Sequence, residues 1–482
     1  MKTAVTALSK TNENILAKII VSLKKLDPSQ THIATAIPSS SSLELNPNQQ
    51  QISKTDSPVV YCYATAQTNN IPEIFKLKNS TLIFQGRIYR PIQTESFWKT
   101  VSERTELDRS AEVLLKKAEG DFCFSILKPD SILTGRDPMG IEPWYYGENS
   151  QIAALASNRR ALWQLGITEP KSFPPGHLAH ISHTGFEFKP VKTLHYKKPK
   201  HIAMKEAATK LQTLLESSVR NRTRDLKKVA IAFSGGLDSS LLAALTKKSK
   251  IDVHLIYISL ENLAETESAI KAAEELNLRL HLALFKESDL AKTLPRVVEI
   301  IEEADPVKAA VGLPFYWVAQ EAAQEGFRVL LAGQGADELF GGYQRYVNSY
   351  IEQGNEYTRK IMFNDATKLY ESNIERDVKI CRYHNVELRL PFASFQLAKF
   401  ALQLPIELKL ENKKDTARKL VLREAANYIG LSQMIVHKKK KAVQYSTGVN
   451  KAIRKLAQKE ELSTKEFIEK QFQNSKKANA LL

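Results

Sequence analysis

Cysteine is scarce in this 482-residue chain: there are three, Cys62, Cys123 and Cys381, and no two of them form a CxxC pair. Their number and spacing argue against a disulfide framework and against a zinc knuckle, and a reducing cytoplasm is the simplest home for such a chain. No window approaches eighteen consecutive apolar residues, so no segment is expected to span a membrane. Near the N-terminus, Asn12, Glu13 and Asn14 interrupt a mild apolar run before a cleavable hydrophobic stretch can form. There is no internal repeat, and the GxxxxGK[ST] phosphate loop is also missing.

Negative charge is in deficit, which leaves a formal net charge of +16. An excess of that kind is compatible with nucleic-acid binding. Lys and Glu nevertheless interleave along helical stretches such as Lys205-Glu206 and Lys271 to Glu275, the pattern of a solvated face. Dense runs occur at Lys197-Lys198-Pro199-Lys200 and at Lys438 to Lys441. Nucleic acid is therefore the weaker reading, and the positive potential serves equally well to attract a nucleotide.

What is present divides into two textures. Up to about residue 190, short apolar or alternating runs (Thr81 to Phe84, Phe122 to Leu127) are separated by turn-forming clusters at Ser39 to Ser42, Asn46 to Asn48, Gly135 to Pro138 and Pro174 to Gly176. This predicts a mostly β region, with Ser39–Gln51 as a polar surface loop. From about residue 203, strand-like runs at Val229–Phe233, Val253–Ile258 and Val329–Ala332 alternate with amphipathic helices, one of them at Ala264–Leu276. That alternation predicts an α/β fold with a parallel sheet. Beyond Tyr343 the chain reads as mainly helical, and the Lys- and Pro-rich stretch Tyr196–His201 reads as the linker.

Chemistry concentrates at two strand ends. The run Val229 to Phe233 leads into Ser234-Gly235-Gly236-Leu237-Asp238-Ser239-Ser240 and then a helix. Glycines permit a tight turn and close approach of a ligand, a helix N-terminus offers N–H groups to an anion, and Asp238 could hold a Mg²⁺. After Val329 to Ala332 comes Gly333-Gln334-Gly335-Ala336-Asp337-Glu338-Leu339-Phe340-Gly341-Gly342-Tyr343. Open α/β sheets bind ligands at such carboxyl ends, and Asp337 could share the Mg²⁺ with Asp238.

SGGLDSS resembles the pyrophosphate loop of the ATP pyrophosphatases, and together with GQGADELFGGY it resembles asparagine synthetase and its relatives, β-lactam synthetase among them. Further blocks carry the resemblance over nearly the whole chain: Glu375-Arg376-Asp377, His384 to Phe392, Phe400 to Pro405, Lys413-Lys414, Lys419 to Ala425 and Lys439 to Gly448. It implies an N-terminal Ntn-hydrolase-like αββα sandwich (1–195) and a C-terminal ATP-pyrophosphatase, adenine nucleotide α-hydrolase-like parallel-sheet domain with a helical lobe (203–482). The implied reaction is adenylation of a carboxylate, most simply aspartate, by ATP, followed by attack of ammonia or an amine. By motif position Phe233, Ile258, Ala332, Gly333 and Gln334 would line the nucleotide pocket. Ser234, Gly235, Gly236, Asp238, Ser239 and Ser240 would hold pyrophosphate, and Lys441 or Lys440 would stabilise charge at the reacting centre. Gln334 cannot act as a base where many relatives have Glu, which leaves Glu387 as a candidate alongside a core or ion-paired role.

The first half resembles the family's glutamine-hydrolysing domain through Gly120 to Phe124, Arg136 to Tyr146, Ala156 to Leu162 and Pro175 to His177. Lys2 stands where that domain carries its nucleophilic cysteine, and Gln85-Gly86-Arg87 replaces its glutamine-binding Asn-Gly-Glu. An ammonium is no substitute for a thiol nucleophile, and a cation repels the substrate's ammonium. The expectation is an inactive glutaminase scaffold, with ATP, Mg²⁺ and small carboxylate and amine substrates as the ligands. A homodimer or a separate ammonia source would be compatible with this. Lactam or peptide-bond formation is the alternative reaction, and RNA modification a more distant one.

Overall fold

The computed structural model describes residues 2–11, 15–26, 32–38, 44–45, 57–65, 72–77, 79–90, 107–261, 265–413, 417–439 and 442–480. The chain divides into two compact units, one of Met1–Thr193 with Lys477–Leu482 and the other of Leu194–Lys476. Most of the Ser39–Gln51 loop lies outside the described residues.

Among the described residues thirteen strands build the first unit: β1 (Thr3–Ser9), β2 (His32–Ala36), β3 (Glu44–Leu45), β4 (Val59–Thr65), β5 (Glu73–Leu77), β6 (Ser80–Arg90), β7 (Glu119–Leu127), β8 (Ile132–Arg136), β9 (Tyr145–Glu148), β10 (Ile152–Ala156), β11 (Lys171–Ser172), β12 (His177–Ser182) and β13 (Gly185–Pro190). They form two antiparallel sheets, ordered β11-β9-β10-β1-β4-β2-β3 and β13-β12-β8-β7-β6-β5. Side chains alternate across each strand, and both faces of the central strands β1 and β4 are buried. On β4, Val60, Cys62 and Ala64 face outward and pack with Ile19, Ile20 and Leu23 of helix Leu16–Leu26. Val59, Tyr61 and Tyr63 face the other way and meet Ile83, Cys123 and Ile181 of the second sheet. Helix Leu107–Lys117 covers that sheet's outer face through Leu114 and Leu115 against Phe122 and Phe124. The layers are helix, sheet, sheet, helix: the expected αββα sandwich.

The second unit is built on a five-stranded parallel sheet of β14 (Lys228–Ala232), β15 (Asp252–Leu260), β16 (Arg279–Phe285), β17 (Val329–Leu331) and β18 (Glu387–Arg389), in the order β16-β15-β14-β17-β18. From β14 the chain runs outward to β15 and β16, then crosses to β17 on the other side of β14. The topological switch therefore lies between β14 and β17, where such sheets bind ligands. Two strands depart from the sequence reading. β16 alternates polar and apolar residues at a sheet edge, and β18 falls within the stretch read as helical and extends the sheet beside β17.

Helices Gln344–Thr367, Glu375–Tyr383, Phe395–Leu402 and Leu420–Ile429 make up most of the remaining lobe. The basic stretch ahead of helix Met204–Thr223 is tied down within this unit. The Tyr196 ring meets Phe363 edge-on at 5.4 Å and lies under the Arg359 guanidinium at 5.1 Å. Arg359 Nη2 donates to the Lys197 carbonyl, and Lys200 N donates to the Gln403 carbonyl at 2.9 Å. Among the described residues, no helix is long and apolar enough to cross a membrane.

Candidate active site

Both glycine-rich loops leave the sheet at the switch point. Gly235 has φ +63°, and a Cβ there would lie 2.7 Å from the Ala269 Cα, so the turn accepts only glycine. Gly236 caps helix Leu237–Lys248 without a side-chain cap bond. The serines brace the turn: Ser234 N donates to Ser239 Oγ at 3.2 Å, and Gly236 N donates to Ser234 Oγ at 3.3 Å. Ser240 differs from the rest, since its hydroxyl is buried and its amide donates to the Gly236 carbonyl at 3.0 Å. It therefore belongs to the helix interior and does not face a ligand. In the second loop Gly335 (φ +95°) and Gly341 (φ +81°) bracket the short helix Ala336–Phe340, which carries Asp337 in its first turn.

A cavity of about 750 Å³ opens over these loops, within the usual range for a small-molecule site. Phe233, Ser234, Asp238, Ser239, Ile258, Ala332, Gly333, Gln334 and Asp337 all line it. Its opposite wall is apolar along helix Pro306–Gln324 (Val311, Pro314, Phe315, Val318) and becomes charged toward Lys308, Lys368 and Arg376.

Lys419 holds the two candidate metal carboxylates together. Its ammonium lies 2.7 and 2.6 Å from the Asp238 oxygens and 2.6 Å from Asp337 Oδ1. Only 3 % of its side chain is exposed, against 15 % for Asp238 and 17 % for Asp337. Both acids can thus grip one positive centre at once, which is the property a shared cation requires. Among the described residues no cluster of three or more His, Cys, Asp or Glu could hold a metal. A Mg²⁺ held by these two acids would complete its shell with phosphate oxygens and water, as is usual for this ion.

Behind Gln334 sits a buried acid, Asp377, to which the sequence reading gave no role. Gln334 Nε2 donates to Asp377 Oδ2 at 2.8 Å, and Arg376 holds both Asp377 oxygens, at 2.7 and 3.1 Å. Burial pushes the Asp377 carboxyl up from its ordinary value, against the pull of Arg376 and Gln334. Glu338 is likewise raised by burial and by neighbouring Asp337, and it accepts from Tyr343 Oη at 2.6 Å and Asn373 Nδ2 at 2.8 Å. Lys438, half-buried, donates to the Gly235 carbonyl at 3.0 Å, and burial lowers its ammonium. Lys440 and Lys441 lie outside the described residues.

Glu387 does not join this site. It opens β18, paired with Val329 at the amino end of β17, whereas the glycine loop leaves the carboxyl end of that strand. Its oxygens bind Arg389 at 2.8 and 3.2 Å, and Arg389 in turn holds Asp225 at 2.7 and 3.0 Å. The candidate base is a partner in a structural ion-pair network, because β18 carries it away from the ligand edge.

The family model "Asparagine synthase" matches residues 210–356 and 350–481, and "Glutamine amidotransferase domain" matches 46–164. A putative glutamine-hydrolysing asparagine synthetase of Methanocaldococcus jannaschii is 31% identical over 442 residues, covering 80% of this chain and 81% of its own. Asparagine synthetase B of Escherichia coli is 26% identical over 314 residues, which span 60% of this chain and 54% of that protein. The corresponding chicken enzyme is 25% identical over 359 residues, 67% of this chain and 62% of its own.

Proposed function

This chain belongs to the asparagine synthetase family of ATP-dependent amide-forming ligases, and from that premise we propose that it adenylates a small carboxylate, aspartate first among candidates, and passes the acyl group to ammonia. Pyrophosphate leaves when the carboxylate attacks the α-phosphorus, and AMP leaves when the amine attacks the acyl-adenylate. The observation that carries the reading is the meeting of Asp238 and Asp337, from two glycine-rich loops at a sheet switch point, on one cation at 2.6–2.7 Å.

Phe233, Ile258, Ala332 and Gly333 fit the nucleoside, with Ser234, Ser239 and the Gly235–Gly236 turn beside the pyrophosphate. Asp238 and Asp337 would hold Mg²⁺, which neutralises charge on the departing pyrophosphate. Lys438 brings positive charge to the same loop, and Lys440 and Lys441 follow it closely in sequence. Gln334 orients without taking a proton, and Asp377 behind it fixes the amide. The amine's proton therefore passes to solvent or to the leaving phosphate.

The first unit supplies no nitrogen on this reading. Lys2 directly precedes β1, Arg87 takes the place of an acid, and Cys62 and Cys123 are buried within strands, where burial pushes the Cys62 thiol up. The same two changes favour, as a second reading, an amine other than ammonia as acceptor. The test is incubation with ATP, Mg²⁺, aspartate and ammonia, with AMP and asparagine as the expected products. Glutamine in place of ammonia should release no glutamate. Glutamate release above background would sink the inactive-glutaminase assignment, and AMP without asparagine would move the reaction to another amine or carboxylate.

A further inference from the structure

Lys419 was not assigned a role by motif, yet three features of the fold are spent on placing it. Its backbone is in the left-handed region, φ 62° and ψ 43°, at the cap of helix Leu420–Ile429, a conformation uncommon for a residue with a side chain. Gly342 clears its path, since a Cβ at that position would lie 2.6 Å from the Lys419 Cε and 1.7 Å from Asp337 Oδ1. Arg418 Nη1 donates to the Gly342 carbonyl at 2.9 Å, which ties the segment to the same turn. The ammonium delivered this way meets both Asp238 oxygens and Asp337 Oδ1, atoms that a shared cation would use.

We infer that Lys419 is an exchangeable counter-ion. It occupies the Asp238–Asp337 pair while the site is empty and yields it when polyphosphate arrives, so that metal and polyphosphate bind together and neither binds well alone. The inference rests on the reading of these acids as the metal pair. Its physical basis is charge balance. With Lys419 in place, a divalent ion entering by itself must displace a buried ammonium that then has no anion to face, which is costly at a largely desolvated position. Pyrophosphate entering by itself meets two carboxylates whose charge is offset by a single ammonium. When both enter, the metal takes the carboxylates and Lys419 turns onto the phosphate oxygens, so every charge keeps a partner. The same exchange run backward lets Lys419 reclaim the acids, and metal and pyrophosphate then depart together. Lys419 thus acts as a positioning residue in the free protein and as a phosphate ligand in the loaded one.

Mn²⁺ binding read by electron paramagnetic resonance tests this without turnover. The full-length protein should bind free Mn²⁺ weakly, and saturating pyrophosphate should tighten it about a hundredfold, near the upper end of ordinary coupling between sites. Lys419→Met should bind free Mn²⁺ about tenfold more tightly than the native protein and retain only a few-fold coupling to pyrophosphate. Lys419→Arg, which keeps the charge, should restore weak free-metal binding and guard against a Lys419→Met result caused by misfolding. Unchanged free-Mn²⁺ affinity in a folded Lys419→Met protein overturns the inference while leaving the proposed reaction intact. Failure of the native protein to bind Mn²⁺ even with pyrophosphate overturns the metal-pair reading and the inference with it.

Discussion

Arg136 in the first unit and Lys419 in the second are both buried cations beside an aspartate and a glycine turn, but their partners differ. The Arg136 guanidinium is distributed over fixed acceptors: the carbonyls of Glu142 (2.6 Å), Phe173 (2.7 Å) and Gly140 (2.8 Å), with Ser172 Oγ at 3.2 Å. Neighbouring Asp137 accepts from the amides of Met139 and Glu142 at 2.9 and 3.1 Å, and Gln85 Nε2 donates to Glu142 Oε1 at 2.8 Å. These contacts are largely to main chain and join the 136–142 turn to Ser172 and Phe173, so the charge holds that part of the fold in shape. Lys419 instead faces two carboxylates at the edge of a cavity, and carboxylates can trade one cation for another. A buried cation on carbonyls staples a fold, whereas one on side-chain acids can serve a ligand.

The sharpest break of that comparison is at Asp238. Asp238→Asn should lower AMP formation by about a thousandfold, the scale for losing a placed charge at a reacting phosphate, with no loss of thermal stability. Near-native AMP formation would make the second centre as structural as the first. Arg136→Met should do the converse. It leaves several buried carbonyls unpaired and should destabilise the first unit by about 3–5 kcal/mol in urea unfolding. Ammonia-dependent AMP formation per folded molecule should be unchanged, and a parallel loss of turnover would show that the staple also serves the chemistry.

Glu387→Gln is expected to have a smaller effect. The acid is 35 % exposed, so removing its charge should cost about 1 kcal/mol or less of stability and leave kcat unaffected. A hundredfold fall in kcat would return it to the role of base. The mildest effect is a pH dependence at Asp137. Burial, and then Asp121, pushes its carboxyl up to about 7 from an ordinary 3.8. The folded chain therefore holds this proton more tightly than the unfolded chain. The resulting stabilisation is full below the unfolded value and is lost as pH rises through about 7. Unfolding midpoints of the first unit should fall between about pH 4 and pH 7, and Asp137→Asn should flatten that slope.

How far the sequence revealed all this follows from distance along the chain. The loops around Ser234–Asp238 and Gly333–Asp337 were legible because a strand, a glycine turn and a helix start are neighbours in sequence. The apolar runs at Thr81–Phe84 and Phe122–Leu127 likewise announced a mostly β region, the sandwich itself following from the family resemblance, but β1 pairing with both β4 and β10 was not readable, since those partners are remote. Lys419 stood in a recognised block, but nothing local says that its ammonium reaches two acids far upstream. Glu387 misled for the opposite reason: it lies inside a family-like block, and only the register of β18 shows that it starts the strand and does not finish it. β16 went unnoticed because an edge strand with exposed Leu282 and Leu284 lacks the continuous buried run that marked β14.

The clamp on Tyr196 has a practical consequence for anyone dissecting the chain. The lysines at 197, 198 and 200 look like an inviting place for trypsin, or for a gene truncation, between the two halves. The main chain there is already engaged at Lys197 and Lys200, and Tyr196 is packed against Phe363 and Arg359. A protease needs a segment that it can draw out, so cleavage at these lysines should be slow. A truncation beginning at Met204 would strip a cover from the helical lobe, and the second unit is better begun at Leu194 and ended at Lys476.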